Sequence, residues 1–187
     1  LIGNREIYRF LEGYGKYNPL KLFSGFETKR YKRIIREVKE LDNKYYSPNF
    51  TARDRKRRTE LMQQLSSEFP DKEELILPTS LGNVIRAFEI YPRVMYGIEY
   101  IDSWSRLQAV MPPDFRELVD SAKARTDLWV NFQYLATLLF FLVGCLLVIK
   151  PSSILLSFLL LLFGFNISCM QRAKALAIEW GDYAKSS

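Results

Sequence analysis

The chain has 187 residues and a mass of 22.0 kDa, with 27 Lys and Arg against 21 Asp and Glu, no histidine and two cysteines. This length allows one domain, or one small domain with a membrane segment. The lack of histidine excludes Ser-His and Cys-His catalysis and His-ligated zinc or haem. Two isolated cysteines, Cys145 and Cys169, exclude a four-thiolate metal site and a disulfide framework. We therefore expect neither a cofactor nor an enzymatic activity.

The first part of the chain is predicted to be helical. Residues 1–26, with several glycines and aromatic residues, suit a membrane-proximal loop or a helix that leaves the membrane interface. Residues 27–128 are predicted to form a cytoplasmic helical module. Its first helix covers 27–46, where apolar residues recur at helical spacing.

A second helix is predicted from Thr51 to about Phe69, with Asp54 at the spacing of a capping box. The two helices predict an antiparallel hairpin of coiled-coil type.

This hairpin is strongly basic. Residues 29–58 hold twelve Lys and Arg against four Asp and Glu, a local charge of +8. A solvated helix face is the commonest source of such a run. Of the two partners that the charge suits, anionic lipid headgroups are expected ahead of nucleic acid, because no nucleic-acid motif accompanies it. The candidate lipid-facing residues are Lys29, Arg30, Lys32, Arg33, Arg36, Arg53, Arg55, Lys56, Arg57 and Arg58.

A further helix is predicted from Thr79 or Ser80 to Pro92. Polar residues lie within this apolar helical frame, and Arg86 and Glu89 are close enough on one face to pair. The cluster predicts either a polar group that fixes helix packing, or a site for a small anionic ligand or a motif of a partner protein. Its members are Asn83, Arg86, Glu89, Glu99, Asp102 and Arg106.

Two uncharged runs follow, at residues 131–149 and 151–171. Each is about 30 Å long as a helix, which is the thickness of the hydrocarbon core of a bilayer. The runs are apolar around the whole helix, whereas a helix of a soluble protein shows a polar face. We expect a transmembrane helical hairpin over 129–171, followed by a cytoplasmic amphipathic segment over 172–187; the alternative is a buried core hairpin in a soluble protein.

The basic residues next to these runs predict the orientation of the hairpin. The turn between the runs offers only Lys150, whereas both outer ends are basic, so both ends are expected to face the cytoplasm. A helix that starts at Pro112 and Pro113 is expected to continue into the first run. The basic residues that flank the hairpin are Arg116, Lys123, Arg125, Arg172, Lys174 and Lys185.

Small and polar residues recur in the second run. Gly164 and Ser168 are four residues apart, as are Ser153 and Ser157, a spacing at which helices approach closely, and Asn166 could hydrogen-bond across the same interface. We expect these five residues to pack helices, within the hairpin or between protomers. A pore lining is the alternative, and it requires that the hairpin oligomerise.

Residues 77–107 resemble a known family. The pattern LPT-x-LGNV-x-RA-x-E, then YP, RxMYGIE and W-x-RL, is similar to a family of predicted bacterial multi-pass membrane proteins without established activity. The resemblance implies an N-terminal transmembrane segment, a helical cytoplasmic region and a C-terminal membrane hairpin. It therefore implies further spans before Leu1 and a bacterial inner or internal membrane, but no catalytic residue.

The sequence thus predicts an all-α protein, in which a helical cytoplasmic module that includes a basic antiparallel helix hairpin is joined to a transmembrane helical hairpin. The expected function is a non-catalytic scaffold or accessory subunit of a larger membrane assembly, with a protein partner or as a homo-oligomer. One alternative is an oligomerising membrane effector or channel gated by the module. A membrane enzyme that depends on Glu89, Glu99 or Asp102 is another.

Overall fold

The computed structural model describes residues 2–14, 18, 20–21, 24–97 and 109–186. This part of the chain is helical and contains no strand, which confirms the predicted all-α fold. The helix predicted after Gly97, with Glu99, Asp102 and Arg106, lies outside the described residues. The helices are α1 (Ile2–Leu11), α2 (Ser24–Lys44), α3 (Ala52–Glu68), α4 (Ser80–Tyr96), α5 (Pro113–Ile149) and α6 (Ser153–Ser186), with a 3₁₀ turn at Glu73–Leu75.

Helices α2 and α3 form the predicted antiparallel hairpin. Its apolar seam contains the buried residues Ile34, Val38, Leu61 and Phe69. Helix α3 starts with the predicted capping box, since the Asp54 amide donates to the Thr51 hydroxyl at 3.2 Å and the Thr51 amide donates to the Asp54 carboxylate at 2.9 Å.

Helix α4 begins at the predicted cap, where the hydroxyl of Thr79 accepts from the amide of Gly82 at 3.1 Å. The prediction that it ends at Pro92 is wrong, because the helix continues for one more turn. A proline lacks only its own amide hydrogen, and the residues after it still hydrogen-bond within the helix. The end comes at Gly97, whose φ of 69° is the left-handed conformation that favours glycine.

Helices α5 and α6 are 37 and 34 residues long and pack against each other as a hairpin. Both are long and apolar enough to cross a membrane. Only 11% of the most apolar 18-residue window of each helix is buried, whereas the alternative of a soluble core hairpin expects most of it to be buried. The seam between them includes the buried residues Thr126, Val130, Ala136, Val143, Leu162, Cys169 and Ala173.

Helix α4 packs on the C-terminal half of α6. Phe88 is buried and its ring lies 4.6 Å from that of Trp180, in an edge-on arrangement. The two helices come so close that a Cβ atom added to Gly181 would stand 2.8 Å from Cδ1 of Phe88. Small residues on this face of α6 therefore set the position of α4.

Helix α1 packs against both α4 and α5. The Tyr8 hydroxyl donates to the Asp127 carboxylate at 2.7 Å. The C-terminus of α1 is a Schellman motif, in which Gly13 has a φ of 87° and the amide of Tyr14 donates to the carbonyl of Arg9 at 2.9 Å. Since Cγ of Pro78 would stand 2.6 Å from an added Cβ at Gly13, this turn is closely packed against the segment before α4.

Candidate functional site

A buried amide organises the start of α4. Asn83 has an exposed fraction of 0%. Its carbonyl oxygen accepts from the amide of Leu77 at 2.6 Å, and its amide nitrogen donates to the carbonyl of Leu77 at 3.0 Å and to the carboxylate of Glu27 at 3.3 Å. Both polar groups of Asn83 are thus used inside the protein, which favours the packing interpretation for this member of the predicted cluster.

The carboxylate of Glu27 extends this contact into an ionic network that joins four helices. Arg30 donates to Glu27 at 3.4 Å and to Glu68, and Lys174 of α6 donates to Glu68 at 2.7 Å. Burial alone would raise the pKa of Glu68, but hydrogen bonds and charges from Lys174 and Arg30 outweigh it and lower the pKa. We call these residues the central network: Asn83, Glu27, Arg30, Glu68 and Lys174.

A second group of charges lies between the end of α1 and α4. Arg86 pairs with Glu89 at 3.7 Å, as their spacing predicts, and its guanidinium lies 5.7 Å from the ring centre of Tyr14. Burial, and then the charge of Glu89, raise the pKa of Glu12 to about 7, against the opposing effects of Arg86 and Arg9. Burial also raises the pKa of Glu89, although Arg86 opposes it.

The predicted polar cluster is therefore divided between two environments. Asn83 belongs to the central network, whereas Arg86 and Glu89 face the end of α1. Nε of Arg86 is buried and has no hydrogen-bond partner among the residues that the structure describes. Together with Glu12, the group can hold a proton near neutral pH, since two carboxyl groups share one guanidinium in a partly buried position.

Four of the ten predicted lipid-facing residues have partners within the protein, and one of them is Arg30 of the central network. Lys32 pairs with Glu73 at 2.7 Å. Arg57 pairs with Glu37 at 2.7 Å, and Arg58 pairs with Asp42.

The prediction is wrong for Arg30, because this side chain is half-buried in the central network and stacks over the ring of Phe69. The other six are exposed, without an ion pair to any acidic side chain in the described ranges: Lys29, Arg33, Arg36, Arg53, Arg55 and Lys56.

The apolar halves of α5 and α6 are joined by a group of three polar side chains. Asn166 accepts from the amide of Gln133 at 2.9 Å and lies 2.8 Å from the hydroxyl of Thr137. Its own amide donates to the carbonyl of Leu162 at 2.9 Å. The predicted contact of Asn166 across a helix interface is thus present, and the interface is the seam of this hairpin.

The four small residues of α6 do not contribute to this seam. Ser153, Ser157, Gly164 and Ser168 are exposed, and an added Cβ at Gly164 would meet nothing within 4 Å. Their spacings of four, seven and four residues place them on one outer face of α6, opposite the side of Asn166. For these residues the prediction of packing within the hairpin is wrong, and packing between protomers stays a prediction.

Sequence reasoning missed several residues that the structure brings together. Glu27, Glu68 and Glu12 occur next to apolar residues at helix ends, and nothing in their local pattern distinguishes them from solvated carboxylates. Tyr8 and Asp127 are 119 positions apart. Their contact depends on the tertiary fold, so the local sequence does not predict it.

The described residues contain no group of three or more His, Cys, Asp or Glu side chains that could hold a metal ion. Comparison of the chain with protein-family models, with curated proteins and with solved structures finds no significant match.

Proposed function

We propose that this protein is an integral membrane protein in which α5 and α6 cross the bilayer as a hairpin and carry a cytoplasmic helical module, and that it serves as a non-catalytic scaffold or accessory subunit of a larger membrane assembly. The observation that carries the proposal is the continuity of α5 and α6. Each runs without a break from an apolar half into a half that is packed against the other helices.

The distribution of charge supports the topology. The turn between the helices has Lys150 as its only basic residue, whereas basic residues follow α6 out of its apolar half and precede that of α5. Both ends of the hairpin then face the cytoplasm. The resemblance of residues 77–107 to predicted bacterial membrane proteins supports a bacterial inner membrane.

The attachment of the module to the hairpin supports a scaffold. The central network and the contact of Phe88 with Trp180 attach α2, α3 and α4 to α6. Three polar side chains of the apolar halves, Gln133, Thr137 and Asn166, bond to each other across the seam, and the serines described above lie on the outer face of α6, so a single hairpin encloses no polar path across the bilayer. Such a structure holds a partner at a fixed position relative to the membrane.

A specific observation favours the alternative of an oligomerising effector or channel. The small residues on the outer face of α6, described above, leave a surface on which a second helix can approach closely. Gly144 of α5 also has open space around it and lies in a different helix, so it provides a matched control position.

The experiment is purification from the native membrane in mild detergent, with measurement of mass and identification of what remains bound. A stoichiometric foreign protein, with liposomes that stay tight, supports the scaffold. A homo-oligomer that makes liposomes leak, and that is lost in Gly164→Leu but kept in Gly144→Leu, would contradict the scaffold and support the effector.

Topology needs its own test. Lys150→Cys is made in a Cys145→Ser, Cys169→Ala background, with Tyr46→Cys of the hairpin as the comparison, since Tyr46 is 92% exposed. A membrane-impermeant maleimide added to intact cells is expected to label position 150 and to spare position 46. The reverse pattern would overturn the orientation.

A further inference from the structure

A groove lies between α1 and the apolar half of α5. It has a volume of about 420 Å³ and an almost wholly apolar lining. Tyr134 and Phe141 mark its extent along α5, and they stand about 5 Å and 15 Å from the start of the uncharged run at residue 131. The hydrocarbon of one leaflet is about 15 Å deep. The groove therefore follows the acyl chains of the cytoplasmic leaflet.

One residue of the groove lining belongs to an exposed ion pair. Glu6, which also lines the groove, lies 3.8 Å from Arg9, and the two side chains are 71% and 55% exposed. Between them in sequence, Tyr8 is bonded to Asp127, which precedes the uncharged run. The pair is thus held near the level of the lipid headgroups.

An apolar lining next to an exposed ion pair indicates which kind of molecule the groove binds. The hydroxyl of Thr137 in the lining already forms hydrogen bonds within the hairpin, so the lining offers only apolar contacts to a ligand. A phospholipid leaves both charges in the headgroup region. Arg9 suits its phosphate and Glu6 suits an ammonium group.

We propose that this groove binds one zwitterionic phospholipid of the cytoplasmic leaflet, with an acyl chain against Leu138 and Phe141 and its phosphate and ammonium groups at Arg9 and Glu6. The proposal rests on the transmembrane hairpin of the proposed function. It adds a ligand of defined chemistry and a position for its headgroup.

The test uses the full chain in detergent and native mass spectrometry, with phosphatidylethanolamine and phosphatidylglycerol added in turn. We expect one retained phosphatidylethanolamine per chain. Leu138→Trp fills the groove and should abolish retention, whereas Leu135→Trp, at a 59% exposed position outside the lining, should not. Arg9→Gln should weaken retention about tenfold, since it removes one charge-assisted contact to phosphate. Circular dichroism verifies that each variant is folded.

Three results would overturn the proposal. The first is equal retention by Leu138→Trp and the unmodified protein, and the second is retention of phosphatidylglycerol as strong as that of phosphatidylethanolamine. The third is a dimer that Leu138→Trp dissociates, because a second copy would then occupy the groove. A failure of the proposed function is recognised separately, since position 150 would then not be labelled from outside the cell.

Discussion

Replacement of Gly181 by alanine tests the close contact between α4 and α6. The new Cβ would stand 2.8 Å from Cδ1 of Phe88 and 3.2 Å from both Cβ and Cγ of the same residue. Rotation of the ring does not relieve a contact with Cβ, and the ring is also held by Trp180 at 4.6 Å. Helix α4 must therefore move away from α6, or the core must accept a strained rotamer.

The magnitude follows from two opposing effects. Overpacking of a filled core costs about 1–3 kcal/mol, and alanine in place of glycine within a helix returns up to about 1 kcal/mol. We expect a net loss of about 1–2 kcal/mol, or a fall of roughly 2–8 °C in the thermal midpoint for a chain of this size. Gly164→Ala is the matched control, because an added Cβ there meets nothing within 4 Å.

The assay is thermal unfolding in detergent followed by tryptophan emission, to which Trp180 contributes. Gly164→Ala should unfold at the midpoint of the unmodified protein or slightly above it. A Gly181→Ala variant as stable as Gly164→Ala would contradict the close packing of α4 on α6.

Three further substitutions probe the polar interior. Glu12→Gln should stabilise the protein at pH 8 by up to about 3 kcal/mol and have little effect at pH 4. The reason is that a Glu12 pKa raised from 4.5 to about 7 makes the native state less stable as pH rises between these two values. Equal effects at both pH values would contradict this. Glu68→Gln should cost about 2 kcal/mol at pH 7 and reduce the loss of stability on acidification, since a lowered pKa adds stability that is complete above the ordinary value of 4.5 and is lost as pH falls through the lowered pKa. Denaturant titrations between pH 2 and pH 8 measure both. Asn83→Leu should cost about 2–4 kcal/mol, because the buried amide and carbonyl of Leu77 lose their partner, and unchanged stability would refute the assigned role.

Most of the helices could be predicted from local patterns. The cap at Thr51, the start of α5 at Pro113 and the apolar stripe of α2 each depend on neighbours within a few residues. Pro92 was misleading because a helix tolerates a proline when the following turn can still form, and the actual end depended on the φ of Gly97.

The candidate site was predicted less well, for a different reason. Arg86 and Glu89 are neighbours on one helix, so their pairing could be read from spacing. The partners of Asn83, Arg30 and Glu68 come from other helices, and whether a charged residue is solvated or buried depends on tertiary packing. The same limit applies to small residues, because spacing alone does not tell which face of a helix meets its partner.

Because α5 is one unbroken helix, a change in the tilt of its apolar half also moves its other half. About 27 Å of this helix, from Pro113 to residue 130, extends beyond the uncharged run. Transmembrane helices change their tilt when the bilayer becomes thinner or thicker. A change of about 10° would displace Pro113 by about 5 Å, and the helices attached to α5 and α6 would move with it. In the proposed topology, a change in lipid composition would therefore shift a partner bound to these helices sideways, along the plane of the membrane.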